Sequence, residues 1–136
     1  MQVKTMKRNI TLVLITFMLV ILLSACMEAR PEINMEGFNE PGHISYTYLR
    51  FTGIQYGEID AEDGDTIVFH YTAGMIRGRL LMQINAPSQD LLWDVILDEN
   101  VEKTVEIPVN EDGIHTLIIR GINARGSFDV QWEVRE

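Results

Sequence analysis

From His43 onward, apolar side chains return at every second position in short runs, and each run ends in a cluster of turn formers. In the last run Phe128, Val130, Trp132 and Val134 alternate with Ser127, Asp129, Gln131 and Glu133. Successive side chains of an extended strand point to opposite faces, so such a run offers one face to a core and the other to water. Ile67, Phe69 and Tyr71 repeat the pattern, as do Val105, Ile107 and Val109. The spacing predicts about eight strands: Ile44 to Thr52, Gln55 to Ile59, Thr66 to Thr72, Arg77 to Asn85, Leu91 to Leu97, Lys103 to Val109, His115 to Asn123 and Ser127 to Arg135. Between them lie Asp- and Glu-rich turns and the Gly-containing steps Ala73-Gly74 and Ala124-Arg125-Gly126. No apolar 3.6-residue period follows residue 26, so the predicted fold is all-β, an antiparallel sandwich over residues 43–136. Leu91 to Leu97 is apolar on both faces except at Asp94, which predicts a strand deep in a sheet or beneath a covering loop.

With 136 residues, 46% of them hydrophobic, the chain suits one small globular domain plus appendages. Its 11 Lys and Arg against 20 Asp and Glu exclude a phosphate-backbone surface, because neutralising nucleic acid takes clustered cations. No nucleic-acid partner is expected.

The N-terminus reads as an address. Lys4, Lys7 and Arg8 stand without acids before an apolar run from Ile10 to Leu23, interrupted only by Thr11 and Thr16. A basic leader and a short apolar core are the marks of a signal peptide, and the run is short for a bilayer span, which takes about 20 apolar residues. It ends in Leu23-Ser24-Ala25-Cys26, which resembles the lipobox of bacterial lipoproteins: a branched residue, two small residues and the acceptor Cys. That resemblance covers the first 26 residues. It implies a diacylglyceryl thioether on the Cys26 sulfur and cleavage between Ala25 and Cys26, with the protein held by lipid at the extracytoplasmic face of the cell membrane. The alternative is an uncleaved signal anchor whose Cys is incidental.

On this reading the chain divides into a signal peptide (1–25), an acylated N-terminus and linker (26–42) and the sandwich (43–136). Cys26 is the only cysteine, so no thiol remains for a disulfide. Removing Lys4, Lys7 and Arg8 leaves 8 basic residues against 20 acids, a charge of −12. Such a body is expected to stand off anionic headgroups on its tether. The segment from Met27 to Gly42 has two Pro, two Gly and glutamates at 28, 32, 36 and 40, and reads as that tether. Its alternative is an irregular edge in which Ile33, Met35 and Phe38 tuck onto the domain.

A second resemblance lies at the other end. Gly113 to Gly121, followed by Gly126 to Trp132, resembles the last hairpin of exported jelly-roll modules related to carbohydrate-binding domains, and also small lipoproteins of Gram-positive bacteria. It informs the fold more than the function.

Catalytic motifs are absent from the sequence. There is no Gly-x-Ser-x-Gly elbow, and glycoside hydrolysis requires two carboxylates facing across a cleft. His43, His70 and His115 have no metal-ligand spacing, and His70 and His115 are expected on the polar sides of their strands. Asp60, Glu62, Asp63 and Asp65 offer carboxylates on a bent loop, but Gly64 stands where an EF-hand requires a ligand, so an acidic hairpin turn is the expectation. No cofactor or metal is expected. Trp93 and Trp132 sit in apolar alternation and are expected in the core. For ligand binding, Tyr46 and Tyr48 share one side of a strand and Arg77 and Arg79 share a face, which makes these four residues the expected platform for an envelope protein or glycan. The expectation is thus a non-enzymatic binding module. A small envelope hydrolase or its accessory subunit, and a purely structural envelope module, are the alternatives.

Overall fold

A computed structural model describes residues 2–24 and 32–136, with side chains from Lys7 to Met18 and from Asn34 onward. The expected cleavage point between Ala25 and Cys26, and the tether up to residue 31, lie outside the described residues. The chain forms two compact units, residues 1–30 and 31–136.

The first unit contains one helix, α1 (Gln2–Ser24). The two polar interruptions of its apolar run are satisfied locally: Thr11 Oγ1 donates to the Lys7 carbonyl and Thr16 Oγ1 to that of Leu12, each at 2.8 Å. Among the described residues no helix is long and apolar enough to cross a membrane.

The second unit is an antiparallel β-sandwich. Its strands are β1 (Glu32–Ile33), β2 (Glu36–Glu40), β3 (His43–Ala61), β4 (Thr66–Asn85), β5 (Leu91–Leu97), β6 (Val101–Pro108) and β7 (Gly113–Arg135). Three of them run through places expected to be connections. β3, β4 and β7 each fuse two expected strands, and they are irregular at the same level: between Tyr48 and Gly53 in β3, between Met75 and Arg79 in β4, and opposite both at residues 122–126 of β7. A glycine signals a bulge inside a strand as readily as a turn between strands. Here Gly78 (φ 78°), Asn123 (φ 47°) and Gly126 (φ 142°) adopt backbone angles that most residues avoid.

Each long strand therefore contributes to two half-sheets. In one, β2, the first half of β3, the last half of β7, the first half of β4 and β6 lie side by side; in the other, the remaining halves of β3, β7 and β4 are followed by β5. Their inner faces enclose a single core, including Ile44, Phe51, Phe69 and Phe128 from the strands' outer reaches and Met82, Leu117 and Ile119 from the opposite half. Trp93 of β5 packs edge-on against Phe69 at 5.2 Å, joining the two layers. Among the described residues every fully buried member of this core follows residue 43, within the unit from Pro31.

Three expectations need correction. Residues 36–40 are not linker: β2 pairs with Ser45 and its neighbours in β3, turning at Pro41 and Gly42, and β1 pairs with Arg50 and Phe51. β5 is not deep in the sheet. It is an edge strand, and Ile96 is 61% exposed on its outer side. His115 faces inward and is fully buried. The strand carrying it has apolar residues on both sides, and the core takes Leu117 and Ile119 along with His115 while Ile114 is exposed. Its Nδ1 lies 3.0 Å from the Gly113 carbonyl, and its Nε2 is buried without a hydrogen-bond partner.

Candidate binding groove

The polar and aromatic side chains distribute themselves by strand parity. Tyr46 and Tyr48 do share one side of β3, but that side faces the interior. Tyr46 is half-buried against Phe128 at 5.8 Å, and Tyr48 is buried between Phe51 and Phe128 at 5.4 and 6.0 Å. Burial without a hydrogen-bond partner pushes the Tyr48 phenol well above its ordinary ionisation range. Arg77 and Arg79 are exposed on either side of Gly78, in the bulged part of β4. The four residues do not assemble into the expected surface platform, because alternation in β3 commits its even-numbered residues to the core up to Tyr48.

The opposite parity supplies the outer face of the first half-sheet. His43 Nε2 lies 2.8 Å from Asp129 Oδ2, and His70 Nδ1 lies 2.6 Å from Thr104 Oγ1. Partial burial works to raise the Asp129 carboxyl, but hydrogen bonds from His43, Ser45 and Gln131, with the His43 charge, outweigh it and hold the group below the usual carboxylate value. A lowered native value means that stability from this network is fully present above about pH 4 and is lost as pH falls through the native value. The pair is partly exposed, so the increment is at most about 1 kcal/mol. Melts taken from pH 7 down to pH 2 should show it in the parent and not in Asp129→Asn; identical acid limbs would remove the network from the stability argument.

The backbone amides of the acidic turn at residues 60–65 donate to carboxylates inside and outside it. Asp65 Oδ2 accepts from the Glu62 amide at 2.9 Å and Asp112 Oδ1 from the Asp63 amide at 2.7 Å. Among the described residues no group of three or more His, Cys, Asp or Glu is arranged to hold a metal ion.

A groove of about 450 Å³ opens beside the β2–β3 turn. Tyr56 and Trp132 border it, with Asn39, Glu40, Glu58 and Asp60 as polar neighbours. Four sequence choices build it. The Pro41-Gly42 turn (Gly42 φ 84°) folds β2 back, and the Asn39 side-chain amide donates to the Tyr56 carbonyl at 2.8 Å, fixing the lip. Trp132 lies against Gly57, where a Cβ would come within 2.9 Å of the indole ring. Tyr56 projects outward and is 57% exposed. The result is two aromatic surfaces with amide and carboxylate groups close by, suited to a ligand that has both apolar faces and hydroxyls. The three carboxylates are solvent-exposed.

None of these groove residues belongs to the platform expected from the sequence. Trp132 is half-buried, not fully in the core as its alternation predicts, and the lip at 39–41 falls in the segment read as tether. The available signal was Gly57 in the interior of a strand pattern, since a glycine there marks the close approach of another group.

No protein-family model matches the chain, and no curated protein matches it. Several solved structures are similar in outline. A CBM4 carbohydrate-binding module is 10% identical with a TM-score of 0.48, over 79% of this chain and 80% of that one. The carbohydrate-binding module CBM6cm-2 from Cellvibrio mixtus lichenase 5A, in complex with cellotriose, is 11% identical with a TM-score of 0.46, over 81% and 90%. CsCBM6-3 from Clostridium stercorarium, in complex with cellobiose, is 22% identical with a TM-score of 0.41, over 73% and 79%. At scores and identities this low the likenesses transfer neither a ligand nor a residue role.

Proposed function

We propose that the chain is an extracytoplasmic lipoprotein, anchored through Cys26, whose sandwich is a non-enzymatic module that binds an envelope glycan in the Tyr56–Trp132 groove. The observation that carries the glycan reading is the pairing of an outward tyrosine with a half-exposed tryptophan beside Asn39, Glu40 and Glu58. Sugar rings present apolar C–H faces to aromatic rings and hydroxyls to amides and carboxylates. The lipobox resemblance at residues 23–26 supports the anchor.

A glycan array followed by titration calorimetry on the segment 31–136 tests the site. Tyr56→Ala removes an exposed ring that the core does not use, so the melting temperature should stay within about 2 °C while affinity falls roughly five- to tenfold, as loss of one stacking contact implies. Unchanged affinity in Tyr56→Ala would move the glycan site elsewhere on the sandwich, and absence of any glycan ligand would leave an envelope protein as the partner.

A further inference from the structure

Where the three long strands bend, the cations of an acidic domain collect beside bare aliphatic side chains. Arg125 of β7 is opposed from one side by Leu49-Arg50, the two residues inserted between the Tyr48–Gly126 and Phe51–Ala124 pairs. From the other side it is opposed by Arg77, its direct partner, and Ile76, the residue inserted before it. Arg79 follows two positions on. Leu49, Ile76 and Arg125 border one groove of about 410 Å³, and no carboxylate lines it. Ile76 is 72% exposed and Leu49 45%.

This grouping opposes the domain's own stability. Like charges directly across a strand pair repel, and Arg77 stands opposite Arg125. Among the described residues none of Arg50, Arg77, Arg79 and Arg125 forms an ion pair, although the chain carries 20 acids. Two aliphatic side chains raised on bulges next to unpaired arginines form an amphipathic surface without an internal use.

We infer that this bend is a docking surface for anionic lipid headgroups, with Arg50, Arg77 and Arg125 on the phosphates and Ile76 and Leu49 entering the acyl boundary. Charge complementarity favours a polyanion, and the aliphatic tips favour one that presents an apolar layer immediately behind its phosphates. The chain enters the sandwich at the same end. β1, where the chain joins the sandwich, pairs with Arg50 and Phe51, and the six residue-to-residue steps from Cys26 to Glu32 reach at most about 20 Å. A lipid on Cys26 would hold this corner near the bilayer. The arginines would then face the headgroups, a local exception to the stand-off expected from the net charge of −12. The inference rests on the membrane location proposed above, whereas vesicle binding of the acyl-free segment is measured without it, so the two can fail separately.

The test is co-sedimentation of the segment 31–136, its fold checked by circular dichroism, with vesicles of phosphatidylcholine alone or with about one-third phosphatidylglycerol, at low salt and high lipid. Binding is expected on the anionic vesicles only and should be lost at about 0.5 M salt, where charges are screened within a few ångströms. Each arginine near the surface is worth roughly fivefold in partitioning, so Arg50→Gln/Arg77→Gln/Arg125→Gln should weaken it about a hundredfold. Leu49→Ser/Ile76→Ser should weaken it while preserving the salt dependence. Absence of binding, equal binding to neutral vesicles, or full binding by the arginine variant overturns the inference. Full binding by Leu49→Ser/Ile76→Ser, together with competition by soluble polyphosphate, would assign the arginines to a dissolved polyanion and overturn the lipid surface as their partner.

Discussion

Gly126→Ala should destabilise the sandwich by about 4 kcal/mol, enough to lower its melting temperature by roughly 20 °C. Two independent penalties act at this position. A Cβ on Gly126 would lie within 1.8 Å of the Gly74 carbonyl oxygen, which belongs to the neighbouring strand and has no rotamer to change. The φ of 142° is also one that an L side chain resists. Relief requires β4 and β7 to separate at the bend, and that opens the aromatic cluster of Tyr48, Phe51 and Phe128 packed beneath it. Since whole domains are stable by only about 5–15 kcal/mol, a loss of this size leaves a marginal protein. Thermal and urea denaturation followed by circular dichroism check it, with Gly64→Ala as a comparison, since a Cβ there meets no atom within 4 Å. A Gly126→Ala shift no larger than that of Gly64→Ala would mean that β4 and β7 do not approach at Gly74 and Gly126.

The same glycine shows what sequence pattern conveys and what it does not. Period-2 alternation locates the buried Phe128 and Val130 of β7 and the Ile67-Phe69-Tyr71 face, because burial on one side of a strand writes itself into every second residue, but it overstates the burial of Trp132 and Val134 at the end of β7. Ala124-Arg125-Gly126 and Ala73-Gly74 look like turns, but the local backbone freedom that a turn requires is the same freedom that a bulge requires. Only the partner strand distinguishes them. β2 is legible only as the edge alternative at Ile33, Met35 and Phe38: all five of its residues are exposed, so no hydrophobic period marks it. β5 misled in the opposite direction, since apolar residues on both faces suggest depth, yet Leu91 and Ile96 are left open at an edge. The candidate groove suffered from both effects. Its lip is the invisible hairpin, and its tryptophan carries the parity of a core residue while standing at the rim. Strand parity puts Tyr46 and Tyr48 on one side of β3, but whether that side faces inward is decided by the strands on either flank, β2 and β7.

Cys26→Ala should abolish lipid attachment and lipoprotein-type cleavage together, the largest effect expected of any single substitution in the chain. Two acyl chains hold a protein at a bilayer by about 0.8 kcal/mol per buried methylene, far above the contribution of the arginine-bearing bend, which acts only at close range and in low salt. Without the thiol there is no acceptor for the diacylglyceryl group, and lipoprotein-type cleavage after Ala25 loses its substrate. Two products then remain: a precursor retained by the apolar stretch from Ile10 to Leu23, or a soluble domain released by another peptidase. Fractionation followed by mass spectrometry of the membrane pool distinguishes them, and in the parent protein should recover an N-terminal, acylated Cys26. An intact Met1 with an unmodified Cys26 thiol in the parent would refute the lipid anchor. The vesicle-binding result would then decide independently whether Arg50, Arg77 and Arg125 meet a membrane, since that measurement uses a segment from which Cys26 is absent.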